Sequence, residues 1–122
     1  MLDQDSAQRG RLAFDAFLHL GTQVLEIEPH NALALFNLGS VLEDLGQLEE
    51  ARTILREAVK FDPAYPDARY NLALLCEKLG LFAEARGHWQ AYLKLDTTSH
   101  WADHARRRLA VYSGRARSTT AR

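Results

Sequence analysis

The 122 residues hold one cysteine, Cys76, one methionine and three prolines, at 29, 63 and 66. A single thiol cannot close an internal disulfide, which excludes a disulfide-stapled secreted domain. No apolar run approaches the roughly 18 residues of a membrane span. Asp3 and Asp5 stand where a signal peptide would carry its charged and apolar regions, so the expected compartment is the cytoplasm. The seven glycines are scattered, with no glycine-rich phosphate loop, and no Ser/His/Asp or Cys/His arrangement has a motif context. No enzymatic activity, cofactor or metal is expected. Cys76 falls at an apolar helix position and reads as an inert buried thiol. His100 and His104 are four apart, but a stable zinc site needs three or four ligands and no pattern completes it. They read as exposed histidines at a helix start, and His88 as a partly buried or surface residue.

β-branched residues are sparse and no stretch alternates strictly, so strands are not expected. Leu, Ala, Glu and Arg dominate, all good helix formers. Leu35, Leu38, Leu42 and Leu45 recur at helical spacing, as do Leu48, Ala51, Leu55 and Ala58, and Phe82, Ala85, Trp89 and Tyr92. Pro29, Gly46, Asp62-Pro63, Gly80 and the N-cap cluster Thr97-Thr98-Ser99 divide the periodic segments. The spacing predicts helices over 7–27, 32–45, 48–61, 66–79, 82–95 and 98–112. Hydrophobic residues at 47 % can supply a core for an all-α protein. Its charge is lopsided. Up to His104 there are nine Lys and Arg against sixteen acids, net −7, and from Ala105 onward six Arg and no acid, net +6.

Sliding the chain along itself until 32–65 falls on 66–99 leaves eleven identical positions, among them Asn37/Asn71, Leu38/Leu72, Glu43/Glu77, Gly46/Gly80 and Ala51/Ala85. Tandem helix–turn–helix units at a fixed period are the signature of an α-solenoid. Leu35-x2-Leu38-Gly39-x2-Leu42, followed by Gly46, Ala51, Leu55, Ala58 and Pro63, resembles the tetratricopeptide repeat (TPR) pattern W-x2-L-G-x2-Y and its later small residues. Gly39 and Ala51 are expected where two helices cross closely. The second unit keeps Ala73, Cys76, Ala85 and Trp89 in register. Tyr92 replaces a small residue there, which predicts a wider gap that Trp101 helps to fill. The predicted organisation is one TPR-like solenoid domain over 1–112: a partial repeat 7–31, full repeats 32–65 and 66–99, and a capping helix 98–112 with Arg106, Arg107 and Arg108 mostly outward. Residues 113–122 are expected to be a basic disordered tail.

In that family the first helix of each repeat lines the concave face. The resemblance therefore implies a peptide-binding groove of Phe36, Asn37, Ser40, Glu43 and Asp44 from the first unit and Arg69, Tyr70, Asn71, Leu74, Glu77 and Lys78 from the second. Phe36, Tyr70 and Leu74 lie off the main apolar stripe; they either anchor a ligand or pack between helices. Some family members clamp a terminal carboxylate with lysine, arginine and asparagine. Asn37 and Asn71 stand at an asparagine position of that clamp, but Leu33, Phe36, Asp67 and Tyr70 fill places of its basic partners. The acidic rim of Glu43, Asp44, Asp67 and Glu77 favours a partner with apolar anchors and basic flanks.

The expected function is a non-catalytic adaptor that binds a peptide or helix of another protein. Two alternatives stay open. One is self-association, such as a homodimer, through the N-terminal helix with Leu12, Phe14, Phe17, Leu18, Leu20, Val24 and Leu25. The other, less expected, is nucleic-acid contact through the arginine-rich end, which has no interleaved aromatics for base stacking.

Overall fold

The computed structural model describes residue 19 and residues 22–120, with side chains through 113. The described residues are helical with connecting turns, and none forms a strand. A short helical stretch at 22–27 precedes α1 (Ala32–Asp44), α2 (Leu48–Phe61), α3 (Pro66–Lys78), α4 (Phe82–Leu95) and α5 (His100–Thr120). The chain divides into two compact units, Met1–Phe61 and Asp62–Arg122. Most of the predicted first helix, 7–27, lies outside the described residues, including Leu12, Phe14, Phe17, Leu18 and Leu20.

In the first unit the turn at Pro29 hands over to α1 through Asn31. Its side-chain oxygen accepts from the Ala34 N–H at 2.9 Å, which satisfies one of the free donors of the first turn. α1 ends at Gly46, whose φ of 81° is the left-handed conformation open to glycine. Gly46 N–H donates to Glu43 O at 2.9 Å and Gln47 N–H to Leu42 O at 2.9 Å, closing the helix end. α2 packs on α1, and Ala51, Leu55, Ala58 and Val59 of α2 and Ala34, Leu35, Val41 and Leu42 of α1 are buried. Burying one such Leu is worth about 1.5–3 kcal/mol. The close crossing expected at Gly39 is present. A Cβ there would lie 2.7 Å from Leu55 Cγ and 3.5 Å from the Ala51 carbonyl oxygen.

The second unit repeats the design. Pro66 opens α3 at its first turn, where a missing N–H costs nothing. Gly80, with φ 75°, closes it as Gly46 closes α1, with Leu81 N–H donating to Cys76 O at 2.8 Å. α3 packs on α4, and Ala68, Leu72, Ala73, Leu75 and Cys76 of α3 and Ala85, Trp89 and Tyr92 of α4 are buried. Ser99 is the N-cap of α5, its hydroxyl accepting from Ala102 N–H at 3.2 Å. α5 packs on α4 through Ala102, Ala105 and Tyr112.

α1 and α3 each end one residue before expectation, at Asp44 and Lys78, and the larger differences are in α5. α5 starts at His100 rather than 98, because Ser99 takes the cap. It also continues to Thr120 instead of ending at 112. Gly114 costs about 1 kcal/mol relative to Ala inside a helix, but the neighbouring arginines and alanine are strong helix formers, and the backbone runs through it.

Candidate functional site

On the first unit, Phe36, Asn37, Ser40 and Glu43 are half-buried along α1 and Asp44 is exposed. Ser40 returns its hydroxyl to the Phe36 carbonyl oxygen at 2.9 Å, within the helix. On the second unit, Arg69, Tyr70, Asn71, Leu74 and Glu77 are half-buried along α3 and Lys78 is exposed. Each helix thus offers a partly open face beside its buried stripe. Among the described residues, no hydrogen bond engages the side-chain amide of Asn37 or Asn71.

Tyr70 is tied into the packing of its unit. Its ring meets Trp89, Tyr92 and Trp101 edge-on, with centroids 5.0, 5.3 and 5.3 Å away. Such pairs favour this geometry because the positive edge of one ring faces the negative face of the next. The Tyr70 hydroxyl meets His104 Nδ1 at 2.6 Å. Burial raises its pKa, with Arg107 opposing and Glu77 adding to the rise. Tyr70 therefore fills the space that the enlarged Tyr92 foreshadowed, with Trp101 at its edge, 51 % exposed. His104 is not a free surface histidine as expected, because this hydrogen bond and a ring contact with Trp89 at 5.6 Å hold it. His100 is exposed and lies against Trp101 at 4.5 Å.

Glu77 is a junction of three elements. One carboxylate oxygen accepts from Trp89 Nε1 of α4 at 3.2 Å, from Arg108 Nε of α5 at 2.8 Å and from the Tyr112 hydroxyl. Burial alone would raise its pKa, but the hydrogen bonds from Tyr112, Arg108 and Trp89 outweigh that and hold the carboxyl below its ordinary value. Of the three arginines expected outward, Arg108 turns inward to this carboxylate and is 29 % exposed, whereas Arg106 and Arg107 are exposed. The periodicity places position 108 beside the buried stripe, and a half-buried anion draws it in.

Arg69 has its own partner. Its Nη1 donates to His88 Nδ1 at 3.2 Å, while His88 Nε2 lies 3.0 Å from Glu84 Oε2. An arginine only donates, so Nδ1 is the acceptor and Nε2 carries the ring proton toward Glu84. The buried Cys76 joins this group. Its sulfur, a His88 nitrogen and a Glu84 oxygen lie within 4.8 Å of one another. The sequence reading missed this convergence because Cys76 and His88 sit on different helices, and no linear motif spans them. It also missed the Tyr70–His104 pair, although Phe36, Tyr70 and His104 recur at one and the same register position.

With two helical hairpins in register, the family follows from comparison. A TPR repeat model matches residues 43–80 and a tetratricopeptide repeat model matches residues 20–53. The chain is a tetratricopeptide repeat protein. This TPR protein is similar in fold to the first TPR of Spaghetti (RPAP3) bound to an HSP90 peptide, with a TM-score of 0.73, 17 % identity, and 90 % of this chain and 89 % of that chain covered. It is equally similar to an Arabidopsis OM64 TPR domain, with a TM-score of 0.73, 19 % identity and 88 % of both chains covered. In sequence it matches a probable UDP-N-acetylglucosamine–peptide N-acetylglucosaminyltransferase SPINDLY of Eustoma exaltatum, 38 % identical over 72 residues. That stretch is 59 % of this chain and 7 % of the relative. It also matches the peroxisomal targeting signal receptor of Saccharomyces cerevisiae, 30 % identical over 82 residues, 67 % of this chain and 13 % of the receptor. The TPR protein thus spans a small fraction of the curated relatives it matches, whose activities belong to the whole proteins. Among the described residues no helix is long and apolar enough to cross a membrane.

Proposed function

We propose that residues 1–112 form a non-catalytic adaptor, expected in the cytoplasm, that binds a peptide or helix of another protein through the first-helix faces of its repeats. On α1 these are Phe36, Asn37, Ser40, Glu43 and Asp44; on α3 they are Arg69, Tyr70, Asn71, Leu74, Glu77 and Lys78. The observation that carries the reading is the pair Asn37 and Asn71. They stand one repeat apart at the same register position, both half-buried, with amides that no described residue bonds. A half-buried amide without a partner among the described residues suits hydrogen bonds to a ligand backbone, and Phe36 and Leu74 beside it suit apolar anchoring. The acidic Glu43 and Asp44 favour basic flanks on the ligand, and Glu77 is ion-paired with Arg108. The relatives include a targeting-signal receptor, and one structural neighbour is bound to an HSP90 peptide, which supports a protein partner.

The test is a pull-down read by mass spectrometry, comparing the intact chain with Asn37→Ala/Asn71→Ala, then affinity for the partner recovered. At about 1 kcal/mol per amide bond, the double variant should bind roughly 30-fold more weakly. Unchanged affinity removes the two asparagines from the reading. Tyr70 is left out of the variant because its ring supports its own unit.

A second reading is a homodimer built on the N-terminal segment, favoured by Val24 and Ile27, which are 40 % and 82 % exposed. Sedimentation across concentrations tests it, and a strict monomer removes it.

A further inference from the structure

Cys76, Glu84 and His88 are a borderline-soft ligand set brought together from two helices. Glu84 and His88 are four apart on α4, the spacing that puts two side chains on one helix face. Cys76 faces them from α3, fully buried. His88 and Glu84 reach the surface, at 12 % and 23 % side-chain exposure, so one side of the group meets solvent.

The internal repeat provides a control for what packing alone requires. The positions of Cys76, Glu84 and His88 correspond, one repeat earlier, to Leu42, Glu50 and Ile54. Those three lie together in the first unit too, lining a surface hollow of about 390 Å³ with Thr22, Leu38 and Thr53. The hairpin therefore closes with two aliphatic side chains in this place. A thiol and an imidazole are not demanded by the fold.

We propose that Cys76, Glu84 and His88 form a binding site for a divalent cation of the zinc class. Thiolate sulfur, imidazole nitrogen and carboxylate oxygen are the three donors zinc accepts, and three protein ligands leave a fourth position for water on the exposed side. The ligand atoms lie within 4.8 Å of one another, and His88 Nε2 is 3.0 Å from Glu84 Oε2. Tetrahedral zinc with bonds of about 2.0–2.3 Å sets ligand–ligand edges of roughly 3.3–3.6 Å, so the group closes by side-chain movement of roughly 1 Å. The ion replaces two protons at its ligands. Cys76 releases its thiol proton to solvent. The His88 proton moves from Nε2 to Nδ1, and Nε2 turns its lone pair to the metal. Arg69, now the donor to Nδ1, must then swing away. Arg69 thus opposes the ion, both by its charge and by its hydrogen bond. Leu35 holds its register position in the first unit.

The experiment titrates the full chain, reduced, with cobalt(II) as a spectroscopic probe and then displaces it with zinc. The expected result is one equivalent of tetrahedral cobalt with a sulfur-to-cobalt charge-transfer band. Cys76→Leu and His88→Ile restore the residues of the first unit, and circular dichroism checks that each remains helical. Either variant should abolish the band and weaken zinc binding by more than the roughly 10–100-fold that an outer-shell partner is worth. Arg69→Leu should tighten zinc binding, which a merely structural arginine would not do. Absence of the charge-transfer band in the intact chain, or its persistence in folded Cys76→Leu, overturns the site. Unchanged or weaker zinc binding in folded Arg69→Leu overturns the role given to Arg69.

Discussion

The two hairpins share one repeat register and fill it with different chemistry. In the first, Gly39 lies under Leu55, and Leu42 with Ile54 lines an apolar hollow. In the second, the same positions hold Ala73, Trp89, Cys76 and His88. The first hairpin is held by small-against-branched packing and a capping asparagine. The second adds rings around Tyr70 and a carboxylate junction at Glu77 that engages α4 and α5. The lesson is that a repeat register dictates where side chains meet and leaves open what they are. A position that must only be filled tolerates Leu or Trp. A position that must be small depends on what it faces.

The comparison breaks most visibly at the fully buried pair Leu55 and Trp89. Trp89→Ala should be the costliest single change, about 3–5 kcal/mol, since it removes the largest buried side chain and a hydrogen bond to Glu77. Urea unfolding of Trp89→Ala and Leu55→Ala side by side checks the order; a larger loss for Leu55→Ala would reverse this view of the second unit. Next comes Glu77→Gln. It leaves the half-buried Arg108 without its anion and should cost about 1.5–3 kcal/mol, whereas Glu43→Gln at the same register should cost less. Equal losses would mean that the junction contributes nothing special.

Gly39→Ala should cost about 1–3 kcal/mol by overpacking, because its new Cβ meets Leu55 Cγ. The same alanine is native at position 73, where Trp89 is its register partner. Pairing Gly39→Ala with Leu55→Trp should therefore recover part of the loss, measured as a double-mutant cycle. No recovery would show that the two crossings differ in more than this pair.

The smallest effect is in pH. Asp96 accepts from the Ser99 and Tyr92 hydroxyls and from the Thr98 and Ser99 N–H groups, which lower its pKa from 3.8 to about 2. A depressed folded-state pKa means that its contribution is complete above 3.8 and is lost as pH falls through about 2. Asp62 holds this register position one repeat earlier and accepts from the Ala64 N–H at 3.2 Å, with no comparable hydroxyl pair among the described residues. Acid titration of Asp96→Asn should therefore lack a small stability loss that the parent chain shows in that window. Parallel acid curves would remove this role for Asp96.

Much of the architecture was legible in the sequence. Gly46 and Gly80, Pro66, and the Leu and Ala stripes act through local backbone preference and periodic burial, so they mark helices, caps and the tandem repeat without knowledge of the partners. The two first-helix faces were legible for the same reason, since register alone places Asn37 and Asn71. What escaped were the polar contacts between helices. Tyr70 with His104, Glu77 with Arg108 and Tyr112, and Cys76 with Glu84 and His88 depend on how neighbouring helices bring side chains together. The helix period says which face Arg108 borders, but only the half-buried Glu77 carboxylate decides that it turns in. By itself, then, the sequence determined the elements, their order and their repeat, because those follow from short-range sterics and hydrophobic periodicity. The tertiary structure alone decided which polar groups are consumed inside the second unit, because that depends on distances of a few ångströms between helices that no linear spacing encodes.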